Sequence, residues 1–205
     1  MSRLKTWVSP ARTALLLIDM QVDFALAEGA MGREGKDMST VAAAVRNGVL
    51  MADAARRAGV PCLFARLITR PGEESAMLRE WKKRRGHDPL LCREGTIGAE
   101  FVGPKPLAGE RVFSKSRYNA FSGTGLDAHL RETHRDTLVI AGLTTECCID
   151  AAARDAFERD YHVFIAADAV AAYEPELHRA ALHAMELNCA IMAQAADLLA
   201  AWEDP

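Results

Sequence analysis

Six short apolar runs alternate along this chain with segments whose apolar residues recur at helical spacing, and few architectures satisfy that rhythm. The runs at 14–18, 60–67, 111–114, 137–141, 162–167 and 189–192 read as strands, and 39–57, 73–85, 125–132, 146–159, 175–186 and 193–202 read as helices. Val41, Val45, Val49, Leu50 and Met51 mark the apolar face of the 39–57 helix, and Gly59 and Pro61 stop it. Strand alternating with helix implies right-handed crossovers and a parallel sheet covered on both faces. The expected fold class is therefore α/β, with three layers ordered α-β-α. No repeat or shift of composition marks a boundary, and 205 residues suit one compact unit, so 1–205 reads as a single domain.

Composition narrows the function classes. The chain is 50% hydrophobic and 26% charged, with a formal net charge of -3, which offers no basic field to a nucleic acid. No apolar run approaches the ~20 residues of a membrane span, and the N-terminus lacks the apolar segment of a signal peptide, so a cytoplasmic protein is expected. Five cysteines, an odd number without metal-ligand spacing, argue for reduced thiols rather than a disulfide framework or a zinc site. The first strand is not followed by G-x-G-x-x-G, and no phosphate loop is present, so no nucleotide cofactor is expected. The stretch 87–109 is rich in glycine and proline, as are loops that cover sites.

Three strands end on residues able to do chemistry: the first on Asp19, the third on Lys115, and the fourth, through a glycine, on a helix whose first turn holds Cys148. Taken singly, each has an ordinary reading as a cap, a solvated lysine or a core thiol. Together they fall where open parallel sheets bind ligands, at the strand carboxyl ends. If the first and fourth strands are neighbours ~4.8 Å apart, Asp19 and Cys148 reach one substrate. A thiol at a helix N-terminus is expected to favour the thiolate. Lys115, if its strand is at the edge, must reach inward over the second strand, which spacing alone does not show.

The motifs Leu17-Ile-Asp-Met-Gln-Val-Asp-Phe24, Lys115-Ser-Arg-Tyr-Asn-Ala-Phe-Ser-Gly-Thr124, Gly142-Leu-Thr-Thr-Glu-Cys-Cys-Ile149, Ala151-Ala-Ala-Arg-Asp-Ala156 and Asp168-Ala169 resemble those of the isochorismatase-like cysteine hydrolase superfamily. That superfamily includes nicotinamidases, N-carbamoylsarcosine amidohydrolases and ureidoacrylate amidohydrolases. The resemblance implies a six-stranded parallel sheet in the order 3-2-1-4-5-6 and a catalytic triad of Asp19, Lys115 and Cys148, with Cys147 where the family usually carries a small apolar residue. It further implies a cis peptide between Leu143 and Thr144, an oxyanion hole built from the backbone N–H groups of Thr144 and Cys148, no cofactor, and a homo-oligomer, dimer or tetramer. The implied activity is cysteine-dependent cleavage of a C–N bond in a small amide, carbamoyl or ureido substrate through a thioester.

Departures from the family narrow this further. Metal-dependent nicotinamidases carry Asp-x-His after the second strand, whereas Arg66-Leu-Ile-Thr-Arg-Pro71 has no histidine, so no metal is expected and nicotinamide is disfavoured. Phe24, Tyr118 and Phe121 either line the cavity or pack the core. Arg66 either holds a substrate carboxylate or is structural. Gln21 and Asp23 are expected to orient the site. Trp81 is a candidate cap for the cavity or for an interface, and the run Lys82-Lys-Arg-Arg85 reads as a solvated face. Two rivals stay open: an isochorismatase-type vinyl ether hydrolase, and a catalytically silent binding protein on the same fold.

Overall fold

The computed structural model describes residues 3–70, 72–73, 75–86 and 90–203. In chain order it contains α1 (Arg3–Trp7), β1 (Thr13–Ile18), α2 (Val22–Ala25), α3 (Ala30–Arg33), α4 (Ser39–Arg57), β2 (Cys62–Leu67), α5 (Ala76–Arg85), β3 (Arg111–Lys115), α6 (Leu126–Glu132), β4 (Thr137–Leu143), α7 (Asp150–Glu158), β5 (His162–Ala171), α8 (Pro175–Asn188), β6 (Ile191–Ala193) and α9 (Ala195–Glu203). A short 3-10 turn, Ile97–Ala99, lies between α5 and β3, and a single π turn, Thr145–Ile149, joins β4 to α7.

The six strands form one parallel sheet in the order β3-β2-β1-β4-β5-β6. β1 and β4 are buried along their whole length, as central strands covered on both faces must be. Alternation sorts their side chains. Ala14, Leu16, Ile18, Leu63, Ala65, Leu138 and Ile140 face α6, the π turn, α7 and α8, where Leu126, Leu130, Ile149, Ala152, Ala153, Ala156 and Met185 meet them. Leu15, Leu17, Cys62, Phe64, Val139, Ala141 and Phe164 face the other layer, against Met51, Ala52 and Ala55 of α4 and Leu198, Ala201 and Trp202 of α9. The α-β-α layering and the strand order anticipated from the sequence are both present.

Boundaries differ in instructive ways. β4 runs two residues beyond the expected end and β5 runs on to Ala171, because the register of this pair shifts between Ile140 and Gly142 and resumes as Gly142↔Val170 and Leu143↔Ala171. The helix expected over 146–159 is divided into the π turn and α7. The short helices α1, α2 and α3 lack the length that makes a helical period visible in a sequence. Residues 87–89, the start of the expected loop 87–109, lie outside the described residues. Among the described residues no helix is long and apolar enough to cross a membrane.

Candidate active site

Asp19 is the first residue beyond β1, at the φ of 52° characteristic of the left-handed region, which Asp tolerates better than most side chains but still at a cost. Its N–H donates to the Ala65 carbonyl of β2 at 2.8 Å, so the chain leaves the sheet with the carboxylate fully buried. Lys115 ends β3, the edge strand, opposite Leu67 of β2. Its long stem crosses β2, and Nζ donates to Asp19 Oδ2 at 2.7 Å, to the Arg117 carbonyl at 3.1 Å, and toward Cys148 Sγ at 3.5 Å. Cys148 enters from the other side of β1, in the π turn that follows β4, with 6% of its surface exposed. Three side chains from three separated stretches of sequence thus share one buried pocket of charge.

The electrostatics follow from that burial. Desolvation works to lower the Lys115 ammonium, but the adjacent Asp19 carboxylate and Cys148 outweigh it and hold the lysine above its ordinary value. The Cys148 thiol is pushed well up by its hydrogen bond with Cys147, by burial and by the Asp19 carboxylate. Burial beside a carboxylate thus works against the thiolate expected from a helix N-terminus, and α7 itself begins only at Asp150. Asp19 Oδ1 is buried without a hydrogen-bond partner among the described residues. One carboxylate oxygen is tied to the lysine, and the other is an acceptor with nothing yet to accept.

The peptide bond between Leu143 and Thr144 is cis. It follows Gly142, whose φ of 130° and close approach to β1 exclude a side chain: a Cβ there would lie 2.0 Å from the Ile18 carbonyl oxygen. Behind the turn, Thr145 is buried, with Oγ1 2.8 Å from His178 Nδ1 at the start of α8.

Gln21 and Asp23, expected to orient the site, bond to backbone groups around it. Gln21 Nε2 donates to the Leu67 and Ala99 carbonyls, both at 2.9 Å, while Oε1 accepts from Leu67 N–H at 2.8 Å, locking the end of β1 to the end of β2. Asp23 accepts from Ala30 N–H at 3.0 Å and from Cys92 N–H at 2.7 Å, fastening the 91–99 loop. Asn119 donates to Asp155 of α7 at 2.6 Å and accepts from Phe121 N–H at 2.9 Å, tying the segment after Lys115 to the helix after Cys148. Asp168 accepts from Asn47 and from Ala195 N–H, joining β5 to α4 and α9.

Beside the charged cluster lies a cavity of about 700 Å³, lined by Leu67, Ser116, Tyr118, Cys147 and the facing side of α5, among others. Of Phe24, Arg66, Tyr118 and Phe121, Tyr118 alone lines it, and Trp81, a candidate cap, lines it too. Phe24 packs instead among Ile68, Cys92, Leu143 and Ala171. Phe121 is buried in the core, its ring centroid 6.0 Å from that of Tyr161. Arg66 is excluded by strand parity: Ala65 faces the same side as Phe113 and Cys148, so Arg66 faces the opposite side, over the Phe101 ring at 5.7 Å and donating to Ser114 Oγ at 3.1 Å. The run Lys82-Lys-Arg-Arg85 was expected to be a solvated face, and Lys83, Arg84 and Arg85 are exposed. In the fold Leu78, Trp81, Lys82 and Arg85, spaced i, i+3, i+4, i+7, form one wall of the cavity. The sequence singled out Trp81 on this face, but not the period that sets Leu78, Lys82 and Arg85 beside it.

Among the described residues no three His, Cys, Asp or Glu side chains gather closely enough to hold a metal ion. The isochorismatase domain model matches residues 13–197. The ureidoacrylate amidohydrolase RutB of Methylobacterium radiotolerans is 31% identical over 193 residues, covering 87% of this chain and 75% of that protein. Nicotinamidase 3 of Arabidopsis thaliana is 31% identical over 175 residues, covering 82% and 78%. A cysteine hydrolase from Pseudomonas syringae pv. phaseolicola 1448A, at 24% identity, shares the fold with a TM-score of 0.84, covering 96% of this chain and 95% of its own. A match that runs from the first residue of β1 into α9 takes in every strand of the sheet and every residue of the charged cluster, so this chain belongs to the isochorismatase-like hydrolase family.

Proposed function

We propose that the protein is a cysteine-dependent amidohydrolase that cleaves a C–N bond in an amide, carbamoyl or ureido substrate. The observation that carries this reading is the Lys115 ammonium held 2.7 Å from Asp19 and 3.5 Å from Cys148, with the ion pair fully buried. Asp19 takes the Cys148 proton on its unoccupied oxygen as the sulfur attacks the substrate carbonyl. The C–N bond of the tetrahedral adduct breaks, the proton passes from Asp19 to the departing nitrogen, and ammonia or an amine leaves a thioester on Cys148. Water then gives a proton to Asp19 and its oxygen to the carbonyl carbon, the C–S bond breaks, and the thiol is reprotonated as the acid departs. Lys115 holds Asp19 in place through the buried ion pair. The N–H groups of Thr144 and Cys148 receive the oxyanion, where one such donor is worth about 2.7–4 kcal/mol of barrier.

The amidohydrolase names of two relatives support the reaction class. We further propose that 1–205 works as one domain, as a homo-oligomer, and in a reducing cytoplasm, which suits its five free cysteines. The test is ammonia release from a panel of ureido acids, carbamoyl compounds, monoamides of dicarboxylic acids and nicotinamide. The Cys148→Ala protein, folded by circular dichroism, should release none, and quenched wild-type reactions should show an acylated Cys148 peptide by mass spectrometry. Undiminished turnover without Cys148 would end the proposal.

A further inference from the structure

The cavity is larger than a small carbamoyl acid needs; about 700 Å³ is the size of site that encloses a drug-like molecule. Its walls are apolar and aromatic where Leu67, Leu78, Trp81 and Tyr118 line it, yet four cations, Arg70, Lys82, Arg85 and Arg117, line it as well. Arg70 is already engaged, with Glu94 at 2.6 and 2.8 Å. Arg85 and Arg117 are different: among the described residues neither has a carboxylate partner. The Arg85 guanidinium rests 5.7 Å from the Trp81 ring centroid, and the backbone of Arg117 is pinned where its carbonyl accepts from Lys115 Nζ at 3.1 Å. Next to Cys147 the lining is a carboxyl group instead: Glu146 lines it there, with Oε2 buried and, among the described residues, unpartnered, while the Asp19 carboxylate is paired with the Lys115 ammonium.

This polarity selects and orients a ligand. A carboxylate brought to the sulfur end meets the unpartnered oxygen of Glu146, whereas at Arg85 and Arg117 it meets planar guanidinium forks suited to it. We propose that the substrate of this site is an amide or ureide whose apolar, partly aromatic body lies along Trp81, Leu78 and Tyr118 and ends in a carboxylate held by Arg85 and Arg117. The reacting end rests on the amidohydrolase reading above, while the anion site does not.

Binding to the Cys148→Ala protein, which does not turn over, separates the two. Terephthalamate and benzamide share a ring and a carboxamide and differ in the carboxylate. Calorimetry should give terephthalamate an affinity higher by about tenfold or more, as a charge-assisted pair provides. That ratio should fall toward one in Arg85→Ala/Arg117→Ala and at high salt, and be partly kept in Arg85→Lys/Arg117→Lys. Equal affinities, no binding of either compound, or a ratio unchanged in the double alanine variant would each overturn the proposal. If the preference holds while wild-type enzyme releases ammonia from no amide, the anion site stands and the amidohydrolase reading falls.

Discussion

At Asp19 one residue carries both a backbone demand and a chemical one. Its left-handed φ suits Asp and Asn alike, so Asp19→Asn keeps the turn and removes only the charge. The variant should lose kcat by about 10²–10⁴-fold, as loss of a general base does. It should also lose about 3–5 kcal/mol of stability, because Lys115 is left as a buried ammonium without its partner; denaturant melts and single-turnover rates read the two effects separately. Cys148 makes a second prediction. Since its thiol is held up by Cys147, burial and Asp19, alkylation of the free enzyme by iodoacetamide, followed on the Cys148 peptide, should keep rising with pH beyond the ordinary thiol range. A plateau below neutrality would mean a preformed thiolate. Where these residues fall was legible in the sequence, Asp19 and Lys115 at strand ends and Cys148 in the turn after β4, and the family resemblance grouped them. Their ionisation was not, since it depends on a carboxylate and an ammonium that arrive from positions 96 and 33 residues apart along the chain. Arg66 shows the same limit: its place at a strand end was visible, but the face it points to follows from register with β3.

Elements were easier to read than their ends. Continuous apolar runs revealed the strands because both faces of a central parallel strand are covered, and the length of α4 displayed its period. The π turn was hidden, and so was the extension of β5, which follows the register shift beside Gly142 rather than local propensity. That glycine gives the test at this scale. Gly142→Ala would drive a methyl to 2.0 Å from the Ile18 carbonyl oxygen at a positive φ. It should cost upwards of about 2 kcal/mol and separate β4 from β1, seen as a lowered urea midpoint together with loss of turnover. The wall that α5 supplies was hidden for a related reason. Four basic residues in a row obscured an apolar and aromatic face that becomes meaningful only when the ends of β2 and β3 supply the other walls.

Across the whole molecule, the two faces of the sheet divide the labour. One carries Cys148 in its packed layer, and the other is closed by α9, whose Trp202 is 1% exposed and donates from Nε1 to the Val8 carbonyl at 3.0 Å. Trp202→Ala should lower stability by about 3–5 kcal/mol, roughly 10 °C in Tm, while leaving kcat/KM at low temperature close to wild type; calorimetry beside steady-state assays checks the separation. The sheet is also uneven from centre to rim. β3 has a neighbour on one side alone, and of its five residues only Phe113 and Lys115 are buried. The ammonium that organises the reaction centre is therefore mounted on the outermost rung of the ladder, where fraying begins. Gentle warming would silence such a protein by loosening its rim while the interior stays intact, so a dead sample and an unfolded one are different things.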